Sequence, residues 1–251
     1  MRDCGFRAAV FHCLKGISMD KLFSLDNRLS LCAEFVRKGS RITDVGSDHA
    51  YLPVWLAKSG YIHSAVAADI RPLPLKKGEE NIQKYNCADI VSVRLSDGLT
   101  EIHPHETDDI VMAGMGGELI ADIISRTPWL KDGRFHLILQ PMTRGHILRK
   151  YLSENGYIIE KEKACTEKGK NYTVMSVYYK GEAQEQSEMY YYIGMLDEND
   201  KASYPYIKDV LKKLGYKSNG LRHNNEDSTK IDTLINSIKT KFGVDDNDNS
   251  Q

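Results

Sequence analysis

The chain has 251 residues, 41% hydrophobic and 27% charged, with a formal net charge of −1. That length can bury a full core as one large domain or one domain with an appendage, and the balanced charge excludes a globally basic nucleic-acid binder. No apolar run approaches the ~20 residues of a membrane span, and Ala8-Ala-Val-Phe11 is too short, and too soon interrupted by His12, for a signal peptide. The expectation is a cytoplasmic protein.

Residues 1–18 precede a second methionine, Met19, and lack periodicity, so they read as a disordered extension or a start-site artefact. Leu22, Leu25, Leu29, Cys32 and Val36 recur at helical spacing and predict a helix ending near Lys38-Gly39. Short apolar runs follow at Arg41–Val45, Ala65–Asp69, Val91–Leu95, Asp109–Ala113 and Phe135–Leu139. Helix-compatible stretches separate them, the pattern of a parallel sheet covered on both faces. Tyr157–Glu160 and Tyr172–Tyr179 predict two more strands, joined by a polar loop over Lys161–Asn171. The expected fold is therefore an α/β Rossmann-like sheet, mostly parallel with a terminal hairpin, over residues 19–181.

After Gly181 the pattern becomes helical. Met189–Leu196 predicts one helix, Ile207, Val210, Leu211 and Leu214 a second, and Ile231, Leu234, Ile235, Ile238 and Phe242 a third. Residues 182–244 are expected to form a small antiparallel bundle and 245–251 a disordered tail. The five cysteines (Cys4, Cys13, Cys32, Cys87, Cys165) are odd in number and form no C-x-x-C pair, which argues against a disulfide framework or a metal site. Charge is unevenly spread. Residues 41–120 hold seven Lys/Arg against twelve Asp/Glu, 141–170 hold seven against four, and 201–240 hold eight against four. The later segments can supply a phosphate-binding surface or simply solvated helix faces.

The chemistry concentrates where strands end. Asp44-Val-Gly-Ser-Asp-His-Ala-Tyr-Leu-Pro53 places a turn after the first strand with Gly46 alone where dinucleotide sites have several glycines. Asp48 stands at the second glycine position, so an approaching phosphate would meet a carboxylate, whereas a cationic cofactor would be attracted. S-adenosylmethionine, with a sulfonium and an ammonium, fits that turn; Asp48 can equally be a helix N-cap. Asp69, ending the second strand, suits a ribose hydroxyl. Asp97-Gly98 suits an adenine amino group, or is an ordinary turn. Ala113-Gly-Met-Gly-Gly117 can let backbone approach a planar base with Met115 packed on it, or is a loose strand-to-helix turn. The Asn/Asp-Pro-Pro-aromatic motif of exocyclic-amine DNA methyltransferases is missing from this position.

Together these strings, with Lys38-Gly-Ser40, Ser96-Asp-Gly-Leu99 and Leu139-Gln-Pro141, resemble the bacterial tRNA (adenine-22 N1)-methyltransferase family of class I methyltransferases, from about Arg28 to Gly181. The resemblance implies S-adenosylmethionine as cofactor, tRNA as partner and a C-terminal helical domain that helps hold it. It implies cofactor contacts from Asp44, Gly46, Ser47, Asp48, His49, Tyr51, Asp69, Ile70, Asp97, Gly98, Ala113 and Gly114. The adenine N1 lone pair needs no general base, so catalysis can rest on placement. Asp48, Gly114 and Met115 are the candidate catalytic positions. Arg144, His146, Arg149, Lys150, Lys168 and Lys170 are the candidate phosphate contacts. The rival readings are a small-molecule methyltransferase and a non-catalytic RNA-binding protein with the same fold; neither membrane association nor a partner protein is indicated.

Overall fold

The computed structural model describes residues 22–244. The expectations for 1–18, Cys4, Cys13 and 245–251 lie outside those residues. In chain order the elements are α1 (Asn27–Phe35), β1 (Arg41–Val45), α2 (Tyr51–Lys58), β2 (Ser64–Asp69), α3 (Pro72–Lys84), β3 (Val91–Leu95), β4 (Asp109–Gly116) and α4 (Gly117–Ser125). They continue with β5 (His136–Thr143), α5 (Gly145–Glu154), β6 (Tyr157–Glu167), β7 (Lys170–Tyr179), α6 (Glu188–Ile193), α7 (Ser203–His223) and α8 (Thr229–Phe242).

The seven strands form one sheet in the order β3-β2-β1-β4-β5-β7-β6, with β7 antiparallel to both neighbours. Val45 lies opposite Ala68 on one side and Met112 on the other, so the carboxyl ends of β1, β2 and β4 stand together. In an open α/β sheet this is where ligands bind. The central strands are apolar and nearly continuously buried because helices cover both faces. One buried cluster includes Cys32, Phe35, Leu56, Ile82 and Val111; the other includes Ile110, Ile120, Ile124, Leu148 and Leu152.

Two expectations about the later strands are corrected. Lys161–Asn171 is not a loop: β6 and β7 pair out to Glu167 and Lys170. The link is a two-residue turn, Lys168-Gly169, with φ of 49° and 73°, the conformation that matches a hairpin's twist. Likewise Gly114-Met-Gly116 is not a turn after β4 but its continuation, with two register shifts against β5. A third cluster gathers Ile193, Ile207, Leu214, Ile238 and Phe242 from α6–α8 with Ala164 of β6, which seats the C-terminal helices on the hairpin.

Candidate functional site

The turn after β1 is built on unusual backbone. Gly46 has φ of 72°, so glycine is favoured by conformation, and a Cβ there would stand 2.5 Å from Met115 Cε and push that side chain aside. His49 and Ala50 also have positive φ, 62° and 54°. Strain of this kind persists only when the surroundings hold it. Ser47 N–H donates to the Ala68 carbonyl (2.9 Å), and Asn81 Nδ2 of α3 donates to the His49 carbonyl (2.8 Å). Ala50, not Asp48, occupies the N-cap of α2, without a side-chain cap bond. Asp48 is exposed, 3.2 Å from His49 Nε2, and the His49 ring stacks on Tyr51 with centroids 5.4 Å apart.

Two carboxyls sit beneath this turn. Asp44 is buried at the end of β1, and desolvation pushes its pKa up to about 7; Ser47 partly offsets this and Asp69 adds to it. Ser47 Oγ is itself buried and completes no hydrogen bond of normal geometry. Asp69, 3% exposed, ends β2 and accepts from Arg71 N–H at 2.8 Å, while Ile70 beside it is 60% exposed. Asp97 lies further along the rim, where it pairs with Arg126 at 3.3 Å, and Gly98 (φ 60°) packs on Ile123.

At the end of β4, Gly114 has φ of 79° and its N–H donates to Gln140 Oε1 at 3.0 Å. The same oxygen accepts from Arg28 Nη1 at 2.7 Å, and Gln140 Nε2 donates to the Pro141 carbonyl at 3.1 Å. Gln140 is fully buried, so its amide fixes the Ala113–Gly114 peptide and points the Ala113 carbonyl the other way. Arg28 is held in turn by Asp26 at 3.0 Å. Sequence reasoning marked Gln140 only as part of the Leu139-Gln-Pro141 string at a strand end, with no contact assigned, and gave Arg28 no role. The position directly after the apolar run Phe135–Leu139 was the available signal for Gln140; none pointed to Arg28, which arrives from α1.

The candidate phosphate contacts divide. Arg144 is exposed at the N-cap of α5 and pairs with Glu118; His146 is half-buried and stacks on Tyr192. Lys150 is exposed, 3.9 Å from Glu154. Lys168 and Lys170 are exposed at the hairpin tip, beyond the carboxyl end of β5. Arg149 is a correction: its side chain is wholly buried and cannot meet RNA. It donates to Glu162 (2.6 Å), the carbonyls of Tyr191 (2.9 Å) and Tyr192 (3.1 Å), Thr173 Oγ1 and Tyr206 Oη. The cause is helix phase: Arg149 shares the inward face of α5 with Leu148 and Leu152. Among the described residues, no group of His, Cys, Asp or Glu is arranged to hold a metal, and no helix is long and apolar enough to cross a membrane.

Residues 25–175 match the methyltransferase domain family. The tRNA (adenine(22)-N(1))-methyltransferase of Bacillus subtilis is 36% identical over 151 residues, 60% of this chain; the match spans 63% of that relative's length. The structure of Streptococcus pneumoniae Sp1610, a candidate tRNA (m1A22) methyltransferase, in complex with S-adenosyl-L-methionine, superposes with a TM-score of 0.75 at 30% identity over 87% of this chain and 100% of that one. The B. subtilis m1A22 tRNA methyltransferase TrmK gives 0.72 at 26% identity, over 88% and 96%. The glycine turn over buried carboxyls and these matches agree: the chain belongs to the methyltransferase domain family, in its tRNA (adenine-22 N1)-methyltransferase branch.

Proposed function

We propose that the protein transfers a methyl group from S-adenosylmethionine to N1 of adenine 22 in the D-stem of tRNA, in the cytoplasm. The observation that carries this reading is the adjacency of two strand ends. β1 and β2 present buried carboxyls under a glycine turn, and β4 next to β1 presents a peptide locked by Gln140. The cofactor fits the first of these. A buried carboxyl at Asp44 that has no cationic partner among the described residues, with the Ser47 hydroxyl beside it, suits a cationic ligand and not a pyrophosphate, and Asp69 retains acceptor capacity for a ribose. Asp44, Gly46, Ser47, Asp69 and Ile70 would hold it. When bound, it supplies an electrophilic methyl on a sulfonium.

The chain's own groups then act by position. Adenine N1 is a neutral lone pair at pH 7, so no residue has to remove a proton before attack. The fixed Ala113 carbonyl and its neighbours in Gly114-Met-Gly116 are acceptors for the N6 amino group, whose positive character grows in the product. Asp48, exposed at the rim, is a second acceptor. N1 lies on the pairing edge, so the adenosine must leave its stack. Arg144, Lys150, Lys168 and Lys170, which remain exposed, would then steady the surrounding phosphates, and the helices after 182 act as a tRNA-docking unit.

Incubation with labelled S-adenosylmethionine and total tRNA, followed by nucleoside mass spectrometry without alkaline steps, tests the reading. Enzyme-dependent 1-methyladenosine is expected; N6-methyladenosine without the N1 isomer would overturn the geometry, and methylated guanosine or cytidine the substrate assignment.

A further inference from the structure

Past the end of β5 lies a cleft of about 460 Å³ that includes none of the cofactor-turn residues. Its volume is within the ~300–1,000 Å³ range of small-ligand sites. One wall is the start of α5; the other is formed by α6 and α7. The rings of His146 and Tyr192 stack on each other in its wall, with centroids 4.9 Å apart and planes 2° apart, both half-buried, and Tyr206 adds a third ring fixed by its bond to Arg149. Burial, with Arg149, Lys217 and Arg144 nearby, lowers the His146 pKa against the opposing pull of Glu188. Arg144, Lys213 and Lys217 supply positive charge, and no carboxylate of the described residues lines the cleft. Lys213 and Lys217, one turn apart and exposed, are in no ion pair among the described residues.

Flat rings with free cations and no acid are the chemistry of a nucleotide site, in which a base stacks and a phosphate is neutralised. The place matters as much as the lining. Pro141 borders the cleft and pairs in register with Met115, so the cleft begins one strand, about 4.8 Å, from the acceptor end of β4. A nucleotide adjoining the one in the active site would reach it. Extruding a base also unstacks its neighbours, and an aromatic surface replaces the lost stack. We propose that this cleft binds the base and phosphate of the RNA nucleotide next to the methylated adenosine, with the base continuing the His146–Tyr192 stack on its outer face and Lys213 and Lys217 on the phosphate. The inference rests on the RNA-methylation reading above.

A double-mutant cycle tests it. Full-length wild type, His146→Ala and His146→Phe would be titrated with an unmodified tRNA transcript and with transcripts made abasic on the 5′ or 3′ side of the target, with cofactor affinity measured in parallel. His146→Ala is expected to weaken binding of the normal transcript about tenfold, His146→Phe to retain it, and the difference to vanish on one abasic transcript. The Lys213→Ala/Lys217→Ala variant should flatten the log–log salt dependence by about two. Cofactor affinity should be unchanged in all. An equal loss from His146→Ala on all three transcripts, or unchanged binding and salt slope, would overturn the cleft assignment while leaving tRNA methylation by wild type intact. Absence of methyl transfer to tRNA by the wild type would overturn both.

Discussion

Asp44 and Arg149 are both buried charge-bearing groups, and the fold treats them in opposite ways. Arg149 has a carboxylate, two carbonyls and two hydroxyls around its guanidinium; burial disfavours its charge, and Glu162 more than restores it. Asp44 has no cationic partner among the described residues, and desolvation, with the second carboxyl of Asp69 nearby, raises its pKa to about 7. The Arg149 cluster is complete without a ligand, and it ties α5, β6, β7, α6 and α7 together. The Asp44 end of the sheet retains unused polar capacity. A joint and a binding site are thus distinguishable by whether their buried polar groups are satisfied.

The comparison breaks most visibly at Arg149. Arg149→Met strands the Glu162 carboxylate, and a loss of roughly 3–5 kcal/mol of stability is expected in urea denaturation. Adding Glu162→Leu should recover most of it, since no orphan charge remains. Equal instability of the single and double variants would mean that the joint depends on packing and not on charge. Gly194 is part of the same joint: a Cβ there would collide with the Glu162 carboxylate.

What the sequence revealed and what it hid follow the same division. Strand ends and their carboxylates are legible because a parallel strand is a short apolar run and its ligand residues directly follow it; β1 and β3 have the residues their patterns predict. The joint was hidden by a register shift between Ile159 and Lys161 of β6. Before it Tyr157 and Ile159 point inward; after it Glu162 and Ala164 do. Strict alternation would have turned Lys161 and Lys163 inward and left Glu162 in solvent. With Glu162 unseen, a basic residue on α5 reads as a surface cation. Arg28 and Gln140 were hidden differently, being 112 residues apart in the chain.

At the unsatisfied end, the largest effect is expected at Asp69. Asp69→Ala removes a charged acceptor for ribose hydroxyls and should weaken S-adenosylmethionine binding by roughly 2–3 kcal/mol in calorimetry, with the fold retained. Unchanged affinity would remove Asp69 from the site.

Asp44 sharpens the contrast through pH. Its folded pKa, about 7, lies above the ordinary 3.8, so the folded protein holds a proton that the unfolded chain releases. Stability is therefore unaffected below pH 3.8, falls as pH rises towards 7, and is constant above it. Asp44→Asn should abolish that loss, gaining about 3 kcal/mol on wild type between pH 5 and pH 8. Cofactor binding has the opposite sign. A cation favours the ionised carboxyl, so wild-type affinity should weaken as pH falls through 7, and Asp44→Asn should bind weakly with little pH dependence. Parallel pH profiles for the two proteins would show that Asp44 is not the titrating group.

The smallest effect is expected one residue from the largest. Lys150 follows Arg149 on α5, but a step of one residue turns the side chain about 100° around the axis, from the buried face to solvent. Its ammonium lies 3.9 Å from Glu154, with both side chains more than half exposed. An exposed i,i+4 pair of this kind contributes only about 0.3–0.5 kcal/mol. Lys150→Ala should therefore leave the urea midpoint within that margin, and any function of the charge should appear in RNA binding alone, as a decrease of about one in the salt slope. A Lys150→Ala protein destabilised by several kcal/mol would mean that the joint around Arg149 extends to the outer face of α5, and that burial does not separate the residue that holds the fold together from the one that faces the substrate.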